Sequence, residues 1–89
     1  MENKNIEQLI KEVLNKGYLM SLATLDDGGV WASDVIYVYD DDLNIYWMSY
    51  PNVRHSEAIL KNPKVAGTIT ASEQSGEELG IQFDGIAEK

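Results

Sequence analysis

At 89 residues, with 44% apolar and 25% charged side chains, the chain has the balance of one small globular domain spanning 1–89. Fifteen acidic residues against seven basic ones give a formal charge of −8, with no cysteine and one histidine. That composition excludes disulfides, thiolate metal sites and cysteine catalysis, leaves no tetrahedral zinc site to expect, and argues against nucleic acid or an anionic membrane as partner. No apolar run approaches the roughly 18–20 residues of a membrane span, and Met1-Glu2-Asn3-Lys4 opens a polar helix rather than a signal peptide, so a cytoplasmic protein is expected.

Ile6, Leu9, Ile10, Val13 and Leu14 recur at helical spacing and predict an amphipathic helix over 1–16. Asn3 or Asn5 can cap its start, and Lys16-Gly17 gives a basic last turn with a glycine stop. From Tyr18 the period becomes two. Tyr18–Leu25 reads as a strand, Asp26-Asp27-Gly28-Gly29 as a hairpin turn, and Val30–Tyr39 as a second strand. Asp40-Asp41-Asp42 reads as a solvated turn rather than a calcium loop, whose spaced ligands it lacks. Leu43–Ser49 is a third strand. Pro51-Asn52 breaks it, and Val53–Lys61 reads as a short helix capped by Asn52 and stopped by Asn62-Pro63. Lys64–Ala71 and Leu79–Glu88 are further strands around a polar loop, Ser72–Glu78, and Gly85 suggests a bulge or barrel corner. A mainly β fold follows, an antiparallel sheet curved until it closes, or nearly closes, with flanking helices.

The residues with most chemistry are Arg54 and His55, the only arginine and the only histidine, followed by Ser56. At a helix start, unpaired N–H groups, a guanidinium fork and further donors suit a phosphate. The alternative is an ordinary surface ion pair with a solvent-facing histidine. Trp31, Tyr37, Tyr39, Tyr46, Trp47 and Tyr50 either line a slot for a flat heterocycle or build core and interface. Asp34 shares a strand face with Ala32 and Ile36, which suggests an inward carboxylate awaiting a partner, and Gln82 between Ile81 and Phe83 raises the same question. No glycine-rich phosphate loop is present.

The order Tyr18-Leu19-Met20-Ser21-Leu22-Ala23-Thr24, Trp31–Tyr39, Ile45-Tyr46-Trp47-Met48-Ser49, Arg54-His55-Ser56 and Asn62-Pro63-Lys64-Val65-Ala66, closed by Gly80 to Ala87, resembles the pyridoxamine 5'-phosphate oxidase-like, FMN-binding split-barrel family. The resemblance covers about residues 17–88. It implies a Greek-key-like split barrel, small or C-terminally shortened, in a homodimer that holds FMN between subunits. Residue by residue it implies that Arg54, His55 and Ser56 take the phosphate. Ser33, Asp34, Val35 and Ile36 then line ring and ribityl chain, Trp47, Met48 and Ser49 flank the cofactor, and Gln82 is a looser match. Arginine–histidine stands where the full oxidases have arginine–lysine. Their C-terminal extension, with its substrate-binding residues, has no counterpart in these residues, so vitamin B6 oxidation is not assigned. The expectation is an FMN-dependent oxidoreductase acting on an unidentified small molecule. The alternatives are a non-catalytic module for flavin, heme or a deazaflavin, and a barrel that has lost its ligand.

Overall fold

Asn5 starts the first helix through a reciprocal capping box. Its side chain accepts from the Gln8 N–H at 2.8 Å, and the Gln8 side chain accepts from the Asn5 N–H at 3.0 Å. The computed structural model describes residues 5–72 and 78–89, so the expected cap at Asn3 and most of the loop expected over Ser72–Glu78 lie outside the described residues. Helix α1 runs Ile6–Lys16 and buries Val13 and Leu14. Gly17 ends it at φ −81°, so the glycine is not there for a left-handed turn. A Cβ at Gly17 would stand 2.9 Å from both Ile69 Cγ2 and the Tyr37 hydroxyl, and it is close approach of the helix end to the sheet that excludes a side chain.

The strands are β1 (Leu19–Asp26), β2 (Gly29–Tyr39), β3 (Ile45–Trp47), β4 (Lys64–Ser72) and β5 (Glu78–Ile86), with α2 (Arg54–Lys61) between β3 and β4. Their order in the sheet is β3-β2-β1-β4-β5, antiparallel throughout. Three hairpin-connected strands and a fourth that returns beside the first form a Greek key. The five strands curl into a half-barrel, as the sequence predicts, with β3 and β5 as its edges.

Period-two burial divides the sheet. Met20 and Leu22 of β1, Val35 and Tyr37 of β2, and Ile69 and Ala71 of β4 face inward and pack with Val13 and Leu14 of α1. α1 lies against β4 and β5, while α2 covers the other end against β1 and β2, burying His55 and Ala58. The Tyr37 hydroxyl donates to the Leu14 carbonyl at 2.8 Å, tying the last turn of α1 to β2. Opposite Phe83, Gly67 leaves room for the ring; a Cβ there would stand 2.5 Å from Phe83 Cζ.

Three local expectations are corrected. β3 is three residues long because Leu43 adopts φ 66° inside the turn and Met48 lies beyond the last paired residue, Trp47. Register between β4 and β5 is unbroken through Val65↔Gly85 and Lys64↔Ile86, so Gly85 makes no bulge. The N-cap of α2 is Val53 rather than Asn52, because the turn at Pro51 runs one residue further; Val53 carries no side-chain acceptor.

Candidate functional site

The β1–β2 hairpin is fixed by its first residue. Asp26 pairs with Gly29, which takes φ +108°, and Asp26 Oδ1 accepts from the Gly28 N–H at 2.8 Å. The same carboxylate receives Arg54 from the start of α2, Nε to Oδ2 at 2.8 Å and Nη2 to Oδ1 at 3.0 Å. Trp31 lies under the guanidinium, with Cζ 4.4 Å from the ring centroid. A Cβ at Gly28 would stand 2.9 Å from Arg54 Nη2, so glycine lets the guanidinium in. The hydrogen bond from Arg54, helped by the Gly28 N–H, holds the Asp26 carboxyl below the usual carboxylate range, and Asp26 in turn raises the guanidinium pKa. A guanidinium carries five N–H donors, and this pairing uses one on Nε and one on Nη2.

His55 points the other way. It is buried, with Nε2 2.7 Å from Ser49 Oγ, and burial lowers its pKa, which favours the neutral ring. It is neither the solvent-facing histidine of the ion-pair alternative nor a cationic donor on the surface. With a valine at the N-cap, the first turn of α2 has no side-chain cap among the described residues. Ser56 in that turn lines a cavity of about 360 Å³ together with Ser49, Trp47, Tyr46 and Pro51.

The strand residues split between faces. Ser33 and Val35 face inward with Met20 and Leu22; Asp34 and Ile36 face outward. Asp34 is therefore not the inward carboxylate expected. Its apolar neighbours on that face, Val30, Ile36 and Val38, are themselves exposed, and Asp34 accepts from Ser21 Oγ at 2.7 Å. Gln82 lies on the same outer face, opposite Thr68. Cross-strand register lines up Asp34, Ser21, Thr68 and Gln82 as one polar row over four strands. That row is about 14 Å long at the usual strand spacing, so one chain holds Asp34 and Gln82 well apart. Trp47 faces inward and Met48 is almost fully exposed.

One further feature lies along the edge of β2. β3 pairs only with Tyr37–Tyr39, so from Gly29 to Ile36 the strand has β1 on one side and, among the described residues, no strand on the other. Alternate backbone groups along that edge lack ladder partners. Sequence reasoning missed Asp26, Gly28, Ser21 and Thr68 as neighbours of the candidate residues. Asp26 read as a turn residue, and nothing local marks a partner 28 residues away. Thr24, opposite Trp31, was also missed; its buried hydroxyl has no hydrogen-bond partner among the described residues. No group of three potential metal ligands occurs among the described residues, and no helix there is long and apolar enough to cross a membrane.

Comparison with known proteins gives a consistent answer. The family described as pyridoxamine 5'-phosphate oxidase matches residues 6–89, in its N-terminal domain. A UPF0306 protein of Photorhabdus laumondii is 34% identical over 80 residues, covering 88% of this chain and 56% of that protein. A UPF0306 protein of Yersinia pseudotuberculosis is 32% identical over 87 residues, covering 96% of this chain and 59% of its own length. The chain thus spans less than two thirds of these relatives. Among solved structures, HutZ, the heme storage protein of Vibrio cholerae, superimposes with a TM-score of 0.73 at 22% identity, over 97% of this chain and 66% of that one. At that identity the likeness speaks for the split-barrel fold alone.

Proposed function

The chain belongs to the pyridoxamine 5'-phosphate oxidase family, and from that premise we propose that it binds FMN and serves as an oxidoreductase for a small molecule. The observation that carries the proposal is the start of α2: a first turn with no side-chain cap next to an arginine with, among the described residues, three N–H donors left over. Those donors fit a phosphate monoester. Arg54 and the first-turn N–H groups, with Ser56, hold the phosphate, and the unpaired edge of β2 at Asp34 and Ile36 offers backbone groups to the ring system. Ser33 and Val35 only carry the strand that presents this edge, since their side chains face the core and their backbone groups point to β1. Trp47, Met48 and Ser49 flank the cofactor, and His55 acts indirectly by fixing Ser49. When bound, a flavin accepts hydride from substrate and passes electrons to an acceptor; the protein supplies position and electrostatics.

Two copies of the chain complete the site in this proposal. Val30, Ile36, Val38 and Tyr46 are more than half exposed on the outer sheet face, an apolar surface suited to a homodimer. Gln82 reaches the cofactor from the partner subunit or stays outside the site. A cytoplasmic location belongs to the same proposal.

A second reading, a non-catalytic module for heme or a deazaflavin, is favoured by the likeness to a heme storage protein. Heme iron most often takes a histidine, cysteine, methionine or tyrosine ligand. Here there is no cysteine and the one histidine is buried against Ser49, so a heme would have to take the exposed Met48 or a tyrosine such as Tyr50 as its ligand. Visible absorption spectra after incubation with FMN and with hemin, each followed by gel filtration, test the choice. Retained flavin absorption is expected; a retained hemin band with no flavin band overturns it. Stopped-flow reduction of the bound flavin by nicotinamide donors then separates enzyme from storage module, since a storage module reduces no faster than free flavin.

A further inference from the structure

We propose that Asp26 is a positioning residue for the anion-binding face of Arg54, with Gly28 and Trp31 completing a cradle around the guanidinium. This rests on the reading of Arg54 as a phosphate ligand and extends it to residues on a different hairpin. Asp26 takes the side edge of the guanidinium, formed by Nε and one Nη2 hydrogen, through bonds of 2.8 and 3.0 Å. Trp31 takes one planar face at 4.4 Å. Gly28 supplies the space that any β-carbon would fill, at 2.9 Å from Nη2. What remains is the far edge, with both hydrogens of Nη1 and the second of Nη2. That edge, with one N–H from each terminal nitrogen side by side, can make a forked contact to phosphate oxygens.

The carboxylate is itself immobilised, because Oδ1 also accepts the Gly28 N–H at 2.8 Å within the tight turn. The arginine is therefore held by a rigid hairpin. An arginine already fixed on one edge and one face loses little rotamer freedom when it takes a ligand. Asp26 offsets part of the charge that attracts an anion, so positioning and competition make opposite predictions. The geometry favours positioning: the two Asp26 bonds leave the far edge of the fork uncommitted, and a ligand can bind there without displacing the carboxylate.

The test is the ratio of FMN to riboflavin affinity, read by flavin fluorescence quenching, which isolates the phosphate contribution from the ring. Asp26→Asn keeps an acceptor for Gly28 and removes half of the grip on Arg54. The ratio should fall by up to about ten-fold, the loss expected when one rotamer-rich side chain must be ordered by the ligand, with riboflavin affinity unchanged. Gly28→Ala, which presses on Nη2, should lower the ratio in the same way and decides the matter should the Asp26 variant fail to fold. Arg54→Ala is the control. If it lowers the ratio while Asp26→Asn and Gly28→Ala leave it unchanged, positioning by the hairpin is wrong and the phosphate reading survives. A higher ratio in Asp26→Asn identifies Asp26 as a competitor and also overturns the proposal. If Arg54→Ala leaves the ratio unchanged, the phosphate reading itself fails and this inference with it.

Discussion

The imidazole of His55 and the hydroxyl of Ser49 stand 2.7 Å apart, locking the segment that follows β3 to the first turn of α2. His55 is buried there and its pKa is lowered by desolvation. The unfolded chain therefore takes up a proton that the folded chain refuses, and stability falls as pH drops through the unfolded value of about 6.5. Thermal unfolding between about pH 7.5 and 5.5, a range in which few other side chains titrate, should show a falling Tm. His55→Gln should flatten that slope. An equal slope in both proteins would remove His55 as its source.

Tyr37→Phe tests the tie between α1 and the sheet. The change deletes the 2.8 Å bond to the Leu14 carbonyl and leaves that acceptor buried at the helix end. Urea unfolding should show a loss of about 1–1.5 kcal/mol with an unchanged m-value. No loss would mean that the carbonyl finds another donor.

Thr24 offers the opposite sign. Its hydroxyl is buried without a partner among the described residues, and its β-branched shape suits a strand. Thr24→Val keeps the shape and removes the orphan group, so stability should rise by about 1 kcal/mol. Destabilisation would show that the hydroxyl is satisfied in solution.

The outer sheet face tests the assembly. Val38 is 65% exposed, so Val38→Glu should alter the stability of the single chain by no more than about 0.5 kcal/mol. Sedimentation analysis should nevertheless find the wild type as a dimer and the variant shifted to monomer. A monomeric wild type would contradict the proposed homodimer.

How much of this was legible depended on which residues faced a single environment. β1 and β4 alternate cleanly, and α1 shows its apolar stripe, so their placement followed from periodicity. β2 is apolar on both faces, with Val30, Ile36 and Val38 on one and Trp31, Val35 and Tyr37 on the other. Pattern alone does not say which face is core, and the face that carries Asp34 is the outer one. β3 was overextended because Leu43 and Met48 look like strand residues, although one sits in a turn and the other is exposed. Arg54 and His55 stood out through scarcity, yet their partners Asp26 and Ser49 come from other segments of the chain. Adjacent letters were given one role; the helix sends their side chains in different directions.

The central claim is that this chain holds a flavin by its phosphate at the start of α2. A titration of FMN fluorescence with the purified protein tests it most directly, repeated with Arg54→Ala. Saturable quenching that is strongly weakened in the variant is the predicted result. Absence of saturable quenching in the wild type, or equal quenching in both proteins, would contradict it.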